Sequence, residues 1–234
     1  RLLDGKMANM VFADPPYGVD IGAKNRFLNT FQRAVRCLGT LNGDADKKDD
    51  LSAMLLKVFS NVKEVMRDDA SIYVTSPQGG ELGMMMMMMI QAGLPVRHVL
   101  NWVKNCATFS MGRLDYEYQH EPIFYTWKKT HNFYGEGKFK TSVWPIDKPR
   151  ESKLHPTMKP VELIENAILN SSRNGQVVLD PFGGSGSTLI ACEKTGRNAA
   201  VMEIEPKFCD VIIKIWEEFT GQKASLKQNN RTSP

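Results

Sequence analysis

One stretch constrains the fold more than any other: Val177-Val178-Leu179-Asp180-Pro181-Phe182-Gly183-Gly184-Ser185-Gly186-Ser187-Thr188, followed by Leu189-Ile190-Ala191-Cys192. An apolar run, an acid, a glycine-rich turn and a second apolar run predict a buried strand, a tight connection and a helix start, the unit from which α/β sheets are wound. The glycines let the backbone approach a bound group closely and take positive φ, while the helix start leaves N–H groups without partners. Together they point to an anionic or zwitterionic ligand at the turn. A second strand, Ala199-Ala200-Val201-Met202-Glu203-Ile204-Glu205, ends in acids. It lies about 20 residues beyond the turn, the spacing at which a carboxylate takes ribose hydroxyls, so Glu203 is the candidate ribose ligand.

A glycine turn alone also serves as an ordinary connection in any doubly wound sheet. A second motif changes its meaning. Met10-Val11-Phe12-Ala13 is another apolar strand, and it runs directly into Asp14-Pro15-Pro16-Tyr17-Gly18, an acid followed by a stiff loop. Two strand ends that carry carboxylates imply one shared site. A nicotinamide-dependent dehydrogenase is disfavoured, because Gly183-Gly184-Ser185-Gly186 does not meet its Gly-x-Gly-x-x-Gly pattern and Asp14 to Tyr17 would have no role.

With these segments, and with His155-Pro156-Thr157-Met158-Lys159-Pro160 just ahead of the glycine turn, the chain resembles the S-adenosylmethionine-dependent amino-methyltransferases of DNA. The motif order is similar to the circularly permuted β group of that family, whose target-recognition segment lies between the two motifs. The resemblance implies an α/β, doubly wound, Rossmann-like sheet, mostly parallel with one antiparallel strand. It also implies transfer of a methyl group from S-adenosyl-L-methionine to a base flipped out of double-stranded DNA, as in restriction–modification. Asp14, Pro15, Pro16 and Tyr17 become the catalytic segment: the Asp14 carboxylate and Pro15 carbonyl accept the amino protons, the prolines stiffen the turn, and Tyr17 stacks on the base. Thr157, Lys159, Asp180, Phe182, Gly183, Gly184, Ser185, Gly186 and Glu203 become the cofactor site, with Lys159 toward the methionine carboxylate and Asp180 toward its amino group. Asp44 is a further candidate there, and His155 is not counted as catalytic. Because the motif begins with Asp, where the family's cytosine-N4 enzymes more often carry Ser, adenine N6 is the expected target. Cytosine N4, or a domain that binds the cofactor without activity, are the alternatives.

At 234 residues, 42% apolar and 24% charged, the chain is long enough for one methyltransferase domain over 1–234 with a sizeable core. A net charge of +4 suits a polyanionic partner without demanding one. Cys37, Cys106, Cys192 and Cys209 are too scattered for a zinc site or a disulfide scaffold, so they are expected to be reduced and structural, with no metal. No apolar run approaches the ~20 residues that cross a bilayer, and no leader pattern opens the sequence. The expectation is a cytoplasmic monomer or homodimer.

Along the chain, Arg1 to Lys6 reads as a helix end capped by Gly5. The β group places a further strand ahead of the Asp-Pro-Pro-Tyr strand, and no segment here can supply it. The sheet is therefore expected to lack its edge strand beside the one carrying Glu203, with upstream residues, or an upstream domain of a longer chain, supplying it. Gly18 to Asn42 reads as a long loop. Leu51 to Val65 has the helical period, with Asp49 or Asp50 as its cap. Ser71 to Thr75 is a strand. Met84 to Met89 lie in a helix from Glu81 to Ala92 which, being apolar on every face, is expected to pack on more than one side. Val96 to Lys104 and Glu121 to Trp127 are strands whose connection holds Phe109, Tyr116, Tyr118 and His120, placed by the resemblance beside the base pocket. The implied target-recognition segment is 105–153. Within it, 128–153 mixes basic residues with His131, Phe133, Tyr134, Phe139 and Trp144, a composition that can neutralise phosphates and stack on bases. Pro160 opens a helix over Val161 to Ser171. Pro206 opens a last helix with Phe208, Val211, Ile212, Ile215, Trp216 and Phe219 as its apolar stripe, and Lys223 to Pro234 is expected to fray.

Overall fold

The computed structural model describes residues 2–17, 48–107, 115–148 and 158–227. In chain order these form β1 (Ala8–Ala13), α1 (Lys48–Val65), β2 (Met66–Thr75), α2 (Gly80–Gln91), β3 (His98–Val103), β4 (His120–Trp127), β5 (Val143–Pro145), α3 (Val161–Ser171), β6 (Val177–Asp180), α4 (Ser187–Thr195), β7 (Asn198–Val201) and α5 (Pro206–Thr220). The strands make one sheet in the order β5-β3-β4-β2-β1-β6-β7. β4 runs antiparallel to both its neighbours and every other pairing is parallel, the single reversed strand the resemblance implies. β1 leads through α1 to β2 on one side and its neighbour β6 leads through α4 to β7 on the other, so the connections diverge between β1 and β6 and open a crevice at the carboxyl ends of these strands.

Residue alternation divides the core into two layers. Val11, Ala13, Ile72, Val74 and Leu179 face Leu51, Leu55, Phe59 and Val62 of α1 and Met85 and Met89 of α2. Met10, Phe12, Tyr73 and Val178 face Leu163, Ile164, Ala167 and Ile168 of α3 and Ala191 and Cys192 of α4. The methionine helix packs on one side, not several: Met85 and Met89 are fully buried, whereas Met87 is 51% and Ile90 47% exposed. Only one sheet face lies beneath α2, and flexible thioethers tolerate a place at the surface.

Several expectations need correction. The sheet has seven strands where six were anticipated, because Val143–Pro145 pairs with β3 and buries Trp144. That strand lies at the opposite edge from the one expected to be missing, and among the described residues β7 pairs with β6 alone. β7 stops at Val201, short of Glu205, because Met202 folds back over the glycine turn: its N–H donates to the Asp180 carbonyl at 2.9 Å and its carbonyl accepts from Gly183 N–H at 2.6 Å. β2 begins five residues early. Its charged start, Arg67-Asp68-Asp69, interrupts the ladder between Ala8↔Met66 and Met10↔Ser71, and looks like a loop in sequence for that reason. α1 begins at Lys48, which places Asp49 and Asp50 in its first turn and not at its cap. Residues 2–5 form a turn in which Gly5 holds φ 83°. Cys106, Cys192 and Cys209 are free, but Cys106 is exposed and so is not structural.

Candidate active site

β1 ends at Ala13 and β2 at Thr75, on adjacent parallel strands, so the Thr75 hydroxyl is carried to the Asp14 carboxylate. It donates to Asp14 Oδ1 at 2.5 Å. Tyr17 folds back to donate its hydroxyl to the same oxygen at 3.2 Å, and the Lys159 ammonium reaches it at 2.8 Å. Among the described residues every donor to Asp14 therefore addresses Oδ1, and none addresses Oδ2 or the Pro15 carbonyl. A carboxylate fixed through one oxygen holds its plane and presents the other. Burial pushes the Tyr17 phenol well above its ordinary value, so it stays protonated and able to donate. Pro15 is buried and Pro16 half-buried between these groups.

Lys159, only 8% exposed, does not reach out to solvent. Its ammonium lies between Asp14 and Glu121, whose Oε2 is 3.4 Å away, and also touches the Tyr17 oxygen at 3.4 Å. Burial opposes its charge, but Asp14, Tyr17 and Glu121 outweigh burial and hold it well above an ordinary lysine. Glu121 Oε1 pairs in turn with the buried Lys104 at 2.7 Å. For Glu121 burial alone would raise the carboxyl, yet Lys159 and Lys104 together keep it below the usual carboxylate range. Sequence reasoning missed Thr75, Lys104 and Glu121. The available signal was a polar residue closing or opening an otherwise apolar strand at the carboxyl edge of the sheet.

The glycine turn lies one strand away from Asp14. Asp180 is fully buried at the end of β6; its Oδ1 accepts Phe182 N–H at 2.9 Å and its Oδ2 accepts the Thr188 hydroxyl at 2.5 Å. Burial pushes the Asp180 carboxyl up to about 7 against those bonds, so a cation placed beside it would be strongly favoured. Gly184 and Gly186 hold φ of 52° and 80°. Gly183 is demanded by space instead: a Cβ there would meet Val201 at 2.6 Å. Glu203 accepts Gly184 N–H at 2.7 Å and Glu205 N–H at 2.8 Å, bracing the turn against the loop after β7. Ser185 bonds Ser187, and Ser187 donates to the Lys159 carbonyl at 2.9 Å, tying the turn to the start of α3. Phe182 packs against the first core layer. The start of α4 has no side-chain cap, leaving its first amides for an anion.

The basic and aromatic segment divides between two ends of the sheet. Because β4 is antiparallel, Trp127 emerges at the end away from Asp14, where it pairs with Ser71. There His131 stacks on it at 3.9 Å and Arg97 lies over the ring at 4.4 Å. The chain then climbs along α3, with Asn166 and Asn170 accepting the N–H groups of Phe139 and Gly137. β5 returns it to the site, where Pro145 pairs with Val103 and Lys148 N–H donates to Asn105. Thr157, Asp44, His155, Phe109 and 149–153 lie outside the described residues, as does 18–47.

A family model described as DNA methylase matches residues 8–214. Type II methyltransferase M2.DpnII of Streptococcus pneumoniae is 23% identical over 227 residues, covering 88% of this chain and 81% of its own length. Type II methyltransferase M.HinfI of Haemophilus influenzae is 26% identical over 243 residues, covering 92% of this chain and 64% of its own length. Among solved structures, the putative DNA modification methylase TTHA0409 of Thermus thermophilus, complexed with S-adenosyl-L-methionine, superposes with a TM-score of 0.65 at 19% identity, covering 93% of this chain and 89% of that one. The cytosine-N4-specific PvuII DNA methyltransferase superposes with a TM-score of 0.66 at 15% identity, covering 88% and 78%. At these identities the two superpositions speak to the fold.

Proposed function

Because the chain belongs to the N6/N4 DNA methylase family, we propose that it transfers a methyl group from S-adenosylmethionine to the N6 amine of an adenine flipped out of double-stranded DNA. The observation that carries this reading is the one-sided saturation of Asp14: among the described residues Oδ1 takes Thr75, Tyr17 and Lys159, while Oδ2 and the Pro15 carbonyl are open. An exocyclic amine has two protons and a lone pair delocalised into its ring. Two fixed acceptors a peptide unit apart can take both protons and turn the lone pair toward an electrophile, so catalysis rests on orientation, worth at most ~7–11 kcal/mol. Asp14 acts as acceptor and not as covalent nucleophile.

The residues at the glycine turn fit the cofactor by their chemistry. Asp180, buried and, among the described residues, short of a counter-charge, suits the amino group of a methionine moiety; the uncapped start of α4 suits its carboxylate; Glu203 keeps lone pairs for ribose hydroxyls. When bound there, S-adenosylmethionine supplies a methyl group made electrophilic by its sulfonium. Asp14 follows β1 and Asp180 ends the neighbouring β6, so donor and amine share one crevice. Adenine is preferred to cytosine because the first motif residue, Asp14, is Asp where the family's cytosine-N4 enzymes more often carry Ser. The strand pairings bring Lys104, Glu121 and Pro145 to one end of the sheet, and the base enters from that side, at an unstacking cost of a few kcal/mol.

Asp14→Ala removes the acceptor and leaves the glycine turn untouched. It is expected to lower single-turnover methyl transfer to duplex DNA by about 100-fold or more, while calorimetric binding of S-adenosylmethionine stays within about twofold. A variant that kept the wild-type rate would remove Asp14 from the mechanism.

A further inference from the structure

We propose that Glu121, braced by Lys104, is a positioning residue that acts on Asp14 through Lys159; this rests on the reading of Asp14 as the acceptor of the target amine. The four groups come from four places in the chain: the end of β1, the second residue of β4, the residue after β3, and the segment entering α3. They form an alternating row in which Asp14 meets Lys159 at 2.8 Å, Lys159 meets Glu121 at 3.4 Å, and Glu121 meets Lys104 at 2.7 Å. Within the row two carboxylates face two buried ammonium groups, and the Lys148 ammonium acts on Glu121 as well. Glu121 Oε2 is shielded from solvent and, among the described residues, accepts no hydrogen bond. A buried carboxylate oxygen without a donor is costly unless a charge partner offsets it. What it does face is the Lys159 ammonium.

That placement decides how Lys159 treats Asp14. An ammonium attracted by two carboxylates settles where the two pulls balance, because each falls off with distance. Glu121 draws Lys159 toward β4, which keeps its contact with Asp14 on Oδ1 and leaves Oδ2 for the amine. Lys104 fixes Glu121 from behind, through Oε1. No covalent bond changes and no proton moves; the effect is on where the Asp14 acceptor points.

The test uses Glu121→Gln, Lys159→Met, and the double variant Lys159→Met/Glu121→Gln, with single-turnover methyl transfer to duplex DNA, KM for DNA, and calorimetry with S-adenosylmethionine. Glu121→Gln is expected to lower the transfer rate by about 10- to 100-fold, the scale of a small misplacement of a reacting group, with KM and cofactor affinity within about twofold. The double variant should be no slower than Lys159→Met, because Glu121 acts only through that side chain. Should Glu121→Gln fail to fold, Lys104→Met/Glu121→Met removes the outer pair as a unit and is expected to show the same loss. A rate within about twofold of wild type, or losses that multiply in the double variant, overturns the proposal. An inactive Asp14→Ala beside a fully active Glu121→Gln overturns this inference alone; an active Asp14→Ala overturns the proposed function and this inference with it.

Discussion

Asp180 is the residue whose ionisation depends most on what fills the crevice. Burial raises its carboxyl from 3.8 to about 7 in the folded protein, so between these pH values the folded chain binds more protons than the unfolded one. The sign follows: the contribution of Asp180 to stability falls as pH rises from about 4 to about 7, and levels off above that. Asn at 180 can accept from Phe182 N–H and donate to the Thr188 hydroxyl without ever ionising. Asp180→Asn should therefore gain stability relative to wild type, by on the order of a few kcal/mol, as urea titrations of both proteins move from pH 4 to pH 7; a difference independent of pH would contradict the burial of a charge there. Gly183 makes a steric claim. An added Cβ meets Val201 Cγ1 at 2.6 Å, the Met202 carbonyl at 3.0 Å and Ile212 at 3.2 Å. Gly183→Ala is expected to lower stability by about 1–3 kcal/mol, read as an earlier urea midpoint, and an unchanged midpoint would mean the turn is looser than described. Such residues are legible in sequence because the backbone demands their type. The direction of Lys159 was not: a long side chain can turn to the cofactor or to Asp14, and the choice is made by Glu121 and Lys104, which belong to neither motif.

Elements bounded by punctuation were the readable ones. Pro160 and Pro206 mark the starts of α3 and α5, and the glycine turn separates β6 from α4 where the sequence suggests. β5 was hidden because Val143-Trp144-Pro145 is three residues long, ends in proline and sits in a polar stretch; its existence depends on β3 offering an edge and on a pocket for Trp144. The methionine helix shows why composition cannot assign a face. Six identical side chains carry no period, so only the sheet decides that Met85 and Met89 point inward. Met85→Ala should cost about 2–5 kcal/mol, whereas Met87→Ala should stay within about 0.5 kcal/mol. Equal losses in thermal or urea unfolding would mean that α2 is rotated from the orientation described.

At the scale of the molecule, the motifs specify the crevice and the topology specifies what reaches it. The reversed strand β4 carries Glu121 to the crevice and sends Trp127 and His131 to the other end of the sheet, beside Arg97 just before β3, a division that a basic, aromatic segment cannot display in sequence. Binding confined to the folded chain should stabilise it as a whole: S-adenosylmethionine at about 100 times its Kd contributes about 2.7 kcal/mol, or roughly 5–10 °C in Tm for a chain of this size. Gly184→Asp, which adds a carboxylate at the residue whose N–H bonds the Glu203 carboxylate, should abolish that shift. The most direct measurement supplies duplex DNA and S-adenosylmethionine labelled in its methyl group, digests the DNA to nucleosides and identifies the labelled one. Label is expected in N6-methyladenine from the wild-type protein and none from Asp14→Ala; label confined to cytosine would contradict the adenine assignment, and unlabelled DNA from a folded protein that binds the cofactor would contradict the proposed reaction itself.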